Sequence, residues 1–456
     1  MSKKQATLEL GTKPVGKLLV QYALPAIVAM VASSLYNIID SIFIGQGVGA
    51  LAISGLAVSF PFMNLSAAFG AAIGVGSSTF LSVKLGQRDY DIANRILGNN
   101  VALNVVVGII FGAVCLLFLD PILLFFGASE NTLPYAREYM QIILLGNMFT
   151  HLYFGLNAVL RSAGKPKMAM YITIFTVVLN ALLDPLFIYA FHLGIRGAAF
   201  ATILSQIVAL CWQWKLFSHK DELLHFEYEK FRIEFPIVKN IIGIGISPFA
   251  MNACGCLVVI FINNSLFGYG GDMAVGAYGI ANRVAFVFVM VTLGVCQGMQ
   301  PIAGYNYGAE NYNRMLEVLK LASFTGIAVC AVGFFLAMFL PEQCARMFTN
   351  DETLVQMSVV AMRYMMSLFV IIGAQMVIPN FFQSIGKAKI SIFLSMSRQL
   401  IFLVPLIAIL PKYYGLDGVW LAMPVSDAIA AVMAYVMIYI YIRKFQEMSR
   451  GVKHNG

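Results

Sequence analysis

Charge is what this chain has least of. Only 11% of its 456 residues are Asp, Glu, Lys or Arg, while 60% are hydrophobic. Soluble domains carry about 25% charged residues, so this balance excludes one and points to a polytopic membrane protein. Five histidines and seven cysteines are also too few and too scattered for a metal centre. Three histidines fall in a tail or loops, and His151 and His192 are isolated, which suits packing or interface positions. The cysteines (Cys115, Cys211, Cys254, Cys256, Cys296, Cys330, Cys344) offer one close pair, Cys254-x-Cys256, whose members cannot share a helical face. There is no GxxxxGK[ST] loop, which argues against ATP-driven pumping by this chain alone. Neither an HExxH motif nor a nucleophile–base pair at workable spacing is present, so the chain is not expected to be an enzyme.

The 30 Lys and Arg outnumber 22 acids, yet their placement does not suggest nucleic-acid binding. Twenty-three lie on one side (tails and alternate loops), four on the other (Arg137, Arg196, Arg346, Lys412), and three inside spans (Arg283, Arg363, Arg398). This is the positive-inside pattern, and it places both termini in the cytoplasm. The first apolar run is too long for a signal-peptide core and has no small-residue cleavage site, so an uncleaved first span is expected.

Twelve apolar runs are present: 17–45, 50–83, 93–119, 135–160, 168–191, 196–216, 238–268, 273–303, 315–340, 354–384, 388–411 and 416–442. Their length and continuity predict helices rather than barrel strands. The expected organisation is a cytoplasmic tail 1–16, a six-helix half 17–216, a cytoplasmic connector 217–238, a second six-helix half 239–442 and a cytoplasmic tail 443–456. The connector, which alternates aromatic and charged residues, suits the membrane interface.

The two halves resemble each other. Pro25 maps to Pro248, LGQRDY at 85–90 to YGAENY at 307–312, RSAGKPK at 161–167 to QSIGKAK at 383–389, and GIRG at 194–197 to GLDG at 415–418. The offsets are 223, 222, 222 and 221, which indicates an internal duplication. Six spans per half put both repeats in the membrane with the same orientation. The fold class is therefore all-α integral membrane: 12 transmembrane helices in two six-helix bundles related by a pseudo-two-fold axis along the membrane normal. Pro25 and Pro248 fall at the same depth of the first and seventh spans, and each serves as a hinge or a static kink.

Against this apolar background two acids stand out. Asp40 lies in the outer third of the first span with Tyr36 and Asn37 on its helical face. Asp184 lies at similar depth on the fifth span, one turn from Asn180 and just before Pro185. Thr202 and Gln206 on the sixth span come near that level, and Asn157 on the fourth is a further polar group. A carboxylate at the centre of a membrane helix costs about 2.5–3.5 kcal/mol on insertion scales, so it usually serves function. Two carboxylates among amides and hydroxyls can take up a proton or coordinate a hard cation such as Na⁺. In the second half Asp40 aligns with Asn263 and Asp184 with Leu406, so the scaffold itself does not demand the acids. Asp427 on the twelfth span is a third buried acid, open to pairing with Arg283 or Arg398. Gln297 and Gln300, one turn apart on the eighth span, suit either cavity lining or helix–helix hydrogen bonding.

The duplicated six-helix halves, the Pro25…Asp40 first span and Asn180…Asp184…Thr202 resemble the multidrug and toxic compound extrusion (MATE) transporters. The likeness covers essentially the whole chain and looks closest to the MepA and DinF type branch. The resemblance implies a bacterial inner-membrane antiporter that exports cationic, amphipathic drugs and dyes in exchange for H⁺ or Na⁺. It further implies bending at Pro25 gated by Asp40, and cation binding by Asn180, Asp184 and Thr202, with Asn157 in support. No cofactor beyond the coupling ion and no nucleic acid is expected, and the chain is taken as a monomer in the lipid bilayer. The alternative is a flippase for lipid-linked oligosaccharide or peptidoglycan precursors. Only Arg283 and Arg398 could serve a pyrophosphate there.

Overall fold

The computed structural model describes residues 5–219 and 222–454, and every regular element among them is helical. In order the principal helices are α1 (Val15–Gly47), α2 (Ala50–Gly86), α3 (Tyr90–Leu117), α4 (Leu133–Leu145), α5 (Asn147–Ser162), α6 (Pro166–Pro185) and α7 (Ile195–Phe217). After the connector come α8 (Phe235–Gly308), α9 (Tyr312–Phe339), α10 (Glu352–Met365), α11 (Phe369–Ser384), α12 (Ala388–Met396) and α13 (Leu416–His454). Nine described helical stretches are long and apolar enough to cross a membrane, and the pairs α4/α5 and α10/α11, bent by 58° and 55°, make two further bent spans. α8 has 74 residues, about 110 Å at helical rise and several times a bilayer core. It is broken at Gly271, whose φ of 65° and ψ of −163° are open to glycine but not to side-chain-bearing residues.

The duplication is written in the backbone as well as in the sequence. Left-handed positions recur in pairs: Gly49 with Gly271, Arg88 with Glu310, Gly164 with Gly386, and Gly194 with Gly415. Gly194 and Gly415 have nearly the same dihedrals, φ 57° and ψ −136° against φ 56° and ψ −135°. Each starts the last span of its repeat. π-helical turns occur in both repeats, Leu186–Ala190 and Ser397–Leu403.

The chain divides into two compact units, but not at the connector alone. The first comprises 1–12 and 28–249, the second 13–27 and 250–456. The expected halves 17–216 and 239–442 are therefore amended at two arms: 13–27 packs with the second unit and 235–249 with the first. The crossings fall two residues after Pro25 and one after Pro248, where a proline removes one helix hydrogen bond. Small residues explain the docking. In the second unit, a Cβ on Gly298 would come within 2.5 Å of Ala23 Cα, and one on Gly294 within 2.5 Å of Ile27 Cγ1. In the first unit, Gly76 lies against the Ile241 carbonyl and Gly245 against that of Ala72. Such close approach supplies dispersion contact in a medium where helices gain nothing from hydrophobic exclusion.

The connector is tied to the first unit. Asn94 Oδ1 accepts from the His225 N–H at 3.1 Å, Asn99 Oδ1 from the Glu234 N–H at 2.8 Å, and Lys230 Nζ reaches Asp91 at 2.9 Å. Trp214, Phe217, Phe226 and Phe231 close around the same segment. His151 is fully buried, its Nε2 bonded to the Ser66 carbonyl at 2.9 Å, and His192 is exposed at a turn.

Candidate functional site

α6 presents Asn180 and Asp184 on one face because residues four apart align along a helix. Pro185 then ends the regular helix, having no N–H to return to the preceding turn, and the chain loosens into a π turn. Asp184 is fully buried and Asp40, from α1, is 4% exposed. The two carboxyl groups are close enough to act on each other, and Asp40 Oδ1 has no hydrogen-bond partner among the described residues. With its amide oriented to satisfy both neighbours, Asn180 donates to Asp184 Oδ2 at 3.0 Å and accepts from the Thr202 N–H at 3.2 Å. Tyr36, one turn before Asp40, places its hydroxyl 2.8 Å from Thr202 Oγ1. Asp40, Asp184, Asn180, Thr202 and Tyr36 thus meet in one pocket inside the first unit.

Among the described residues, no Lys, Arg or His neutralises either carboxyl. Two adjacent carboxylates removed from water repel each other and lose hydration. A shared proton relieves this, and so does a bound cation. The donors available are carboxylate, amide and hydroxyl oxygens, the set preferred by hard ions such as Na⁺ rather than by soft metals.

One member of the pocket is not legible in the sequence. Tyr139 on α4 is fully buried near the acids, and its hydroxyl has no hydrogen-bond partner among the described residues. It lies in YAREYM, where hydropathy alone cannot separate it from packing residues. Two expected members are engaged by other groups. Asn157 accepts from Arg161 Nη1 at 2.7 Å and donates to the Ala169 carbonyl at 3.2 Å and to Thr173 Oγ1 at 3.3 Å, so its amide is committed to α5 and α6 away from the acids. Gln206 accepts from Thr150 Oγ1 at 2.6 Å. The side chain of Asn37 lies outside the described residues. Asn263, the counterpart of Asp40, is half-buried in the second unit. Gln297 and Gln300 lie on the stretch of α8 that carries Gly294 and Gly298, half-buried and buried respectively. Asp427 pairs with Arg398 (Nε to Oδ1, 2.7 Å), not with Arg283.

The Tyr36–Thr202 bond joins α1 to α7, and Tyr36→Phe removes it while keeping the ring. A net loss of about 0.5–1.5 kcal/mol is expected, read as a lowered thermal midpoint in detergent with the fold retained. An unchanged midpoint would show that the bond carries no net stability.

The MatE family matches residues 25–186 and again 248–409, each match opening on one of the two span prolines. Curated relatives include the multidrug export protein MepA of Staphylococcus haemolyticus, 26% identical over 423 residues and covering 93% of both chains. The protein of the same name from Staphylococcus aureus is 26% identical over 94% of both. Among solved structures, an outward-facing multidrug resistance MATE transporter of the MOP superfamily superposes with a TM-score of 0.89 at 25% identity, covering 96% of this chain and 98% of its own. The MATE multidrug transporter DinF-BH is 35% identical with a TM-score of 0.86, covering 94% of this chain and 96% of its own.

Proposed function

Because the chain belongs to the MatE family, whose members include multidrug export proteins, we propose that it is a secondary-active antiporter. It exports cationic, amphipathic drugs across a bacterial inner membrane, as a monomer with both termini cytoplasmic, in exchange for H⁺ or Na⁺ taken up at Asp40 and Asp184. One observation carries this reading: two buried carboxyls lie close together without a basic partner, in company with Asn180, Thr202 and Tyr36.

Loading the acid pair with a positive charge lets Asp40 and Asp184 approach, and unloading drives them apart. Asp40 belongs to the same helix as Pro25, fifteen residues along. A change in its hold on α6 and α7 is therefore transmitted to the proline, where the chain passes from one unit to the other. Pro248 is the matching joint of α8. Such a cycle would open a drug-binding site to each side of the membrane in turn. Each inward charge yields about 2.3 kcal/mol per 100 mV. Carrying a singly charged drug outward costs the same, so a one-for-one exchange runs on the ion's concentration gradient, and a second ion per cycle would add the potential.

The test is dye transport in proteoliposomes with a pH gradient and a Na⁺ gradient imposed separately. Accumulation driven by either gradient, and collapsed by the matching ionophore, is the expected result. Transport indifferent to both gradients would overturn the antiport reading.

A further inference from the structure

Where α11 turns into α12, and where α13 leaves its apolar run, the second unit gathers positive charge that nothing in the chain offsets. Lys387 occupies the turn between α11 and α12. Its ammonium lies over the Tyr441 ring of α13, 5.2 Å from the centroid. Lys444 follows Tyr441 by three residues and so shares its helical face. It is close enough to act on Lys387: burial first, and then the Lys444 charge, holds the Lys387 ammonium below the ordinary lysine range. Lys389 and Arg443, both exposed, flank the pair in sequence. Among the described residues none of these four has a carboxylate within ion-pair distance, and Glu447, three residues beyond Lys444, does not reach it.

The first repeat meets the same requirement from within. Lys165 stands 222 residues before Lys387, and Glu222 stands 222 residues before Lys444. Those two form an ion pair, Nζ to Oε1 at 3.1 Å, with side chains only 24% and 12% exposed. A position that is an acid in one copy is thus a base in the other. Two ammonium groups near each other and partly out of water repel, and long lysine side chains can swing apart. The Tyr441 ring, itself packed against Phe382 and Phe445, holds Lys387 in place. Like charges fixed in this way are completed by an external anion. The apolar surface beside them says what carries it. Ile440, Val436 and Val432 precede Lys444 by one, two and three helical turns, in line with it, and all are exposed. At about 1.5 Å per residue the stripe runs roughly 18 Å, about one leaflet deep. A soluble anion would make no use of it, whereas an acyl chain would.

We propose that the second unit binds an anionic phospholipid, with the headgroup phosphate between Lys387 and Lys444 and an acyl chain along Val432, Val436 and Ile440. Phosphatidylglycerol, with one negative charge, is the simplest such lipid. Its phosphate does for Lys387 what Glu222 does for Lys165, and it ties the turn before α12 to the end of α13. The inference needs only that this end of the second unit meets a membrane face. It is independent of which ion or drug is exchanged.

To test this, the full-length protein in detergent is titrated with phosphatidylglycerol and with phosphatidylcholine of the same chains, and bound lipid is counted by native mass spectrometry. The first binding step is expected to favour phosphatidylglycerol about ten-fold or more. Lys387→Gln and Lys444→Gln should each cut that preference about five-fold. Lys165→Gln, which removes the partner of Glu222, should leave it unchanged. Lys444→Glu is the sharper variant, because it gives the second repeat the acid of the first. It should abolish the preference and raise the thermal midpoint in phosphatidylcholine nanodiscs. A preference unchanged in the Lys387 and Lys444 variants, or lost equally in Lys165→Gln, overturns the site, and so does a midpoint lowered by Lys444→Glu. If millimolar inorganic phosphate displaces phosphatidylglycerol, the ligand is a soluble phosphate and the lipid reading fails.

Discussion

Asp40→Asn and Asp184→Asn each reduce gradient-driven dye efflux to the level of empty vesicles, while the protein still accumulates in the membrane. Asparagine keeps the size of the side chain and can still hydrogen-bond, so the pocket holds together. It cannot bind or release a proton, and it supplies no negative charge for a cation. At Asp184 the Asn180 donor at 3.0 Å retains an oxygen to meet, and at Asp40 the change removes repulsion across the pair. Neither substitution should therefore cost much folding energy, and either should stop coupling completely. Efflux at wild-type rate in both variants, with normal expression, would remove the acid pair from the mechanism. The counterpart change Asn263→Asp in the second unit serves as a control and should not restore transport.

The second large effect is expected at the crossings of the exchanged arms. Gly76→Leu and Gly298→Leu should abolish stable accumulation, because each places a branched side chain where even a Cβ meets backbone: the Ile241 carbonyl for Gly76, and Ala23 Cα at 2.5 Å for Gly298. Backbone cannot rotate aside as a side-chain tip can. Overpacking typically costs about 1–3 kcal/mol or more, and here it falls where an arm must dock. The milder Gly298→Ala should yield folded protein with a lower thermal midpoint and impaired transport. Gly255, with open space around it, is the comparison, and Gly255→Ala should leave the midpoint nearly unchanged. Equal midpoints for Gly298→Ala, Gly255→Ala and wild type would refute a structural role for the crossing.

Much of this molecule can be read from its residues. Asp40 and Asp184 are conspicuous because a carboxylate inside an apolar run demands a reason. The duplicated GIRG/GLDG and LGQRDY/YGAENY landmarks correspond to backbone positions that recur in both repeats. What escapes is partner choice. Asn157 looks equivalent to Asn180 until Arg161, four residues along on the same helix, is seen to claim it. Tyr139 has the hydropathy of a packing residue, and only the fold brings it near the acids. The arm exchange is invisible for a similar reason: periodicity reports that 13–27 is an apolar helix, not which neighbours it will pack against.

That exchange has an evolutionary corollary. A polypeptide of one repeat would have its leading arm built for another repeat's surface and a receiving groove with nothing of its own to fill it. Two copies trading arms satisfy both needs, as in a domain-swapped homodimer. Tandem fusion turns the trade into an internal one, after which the copies no longer have to remain alike. One repeat could then keep the carboxylates and the other discard them.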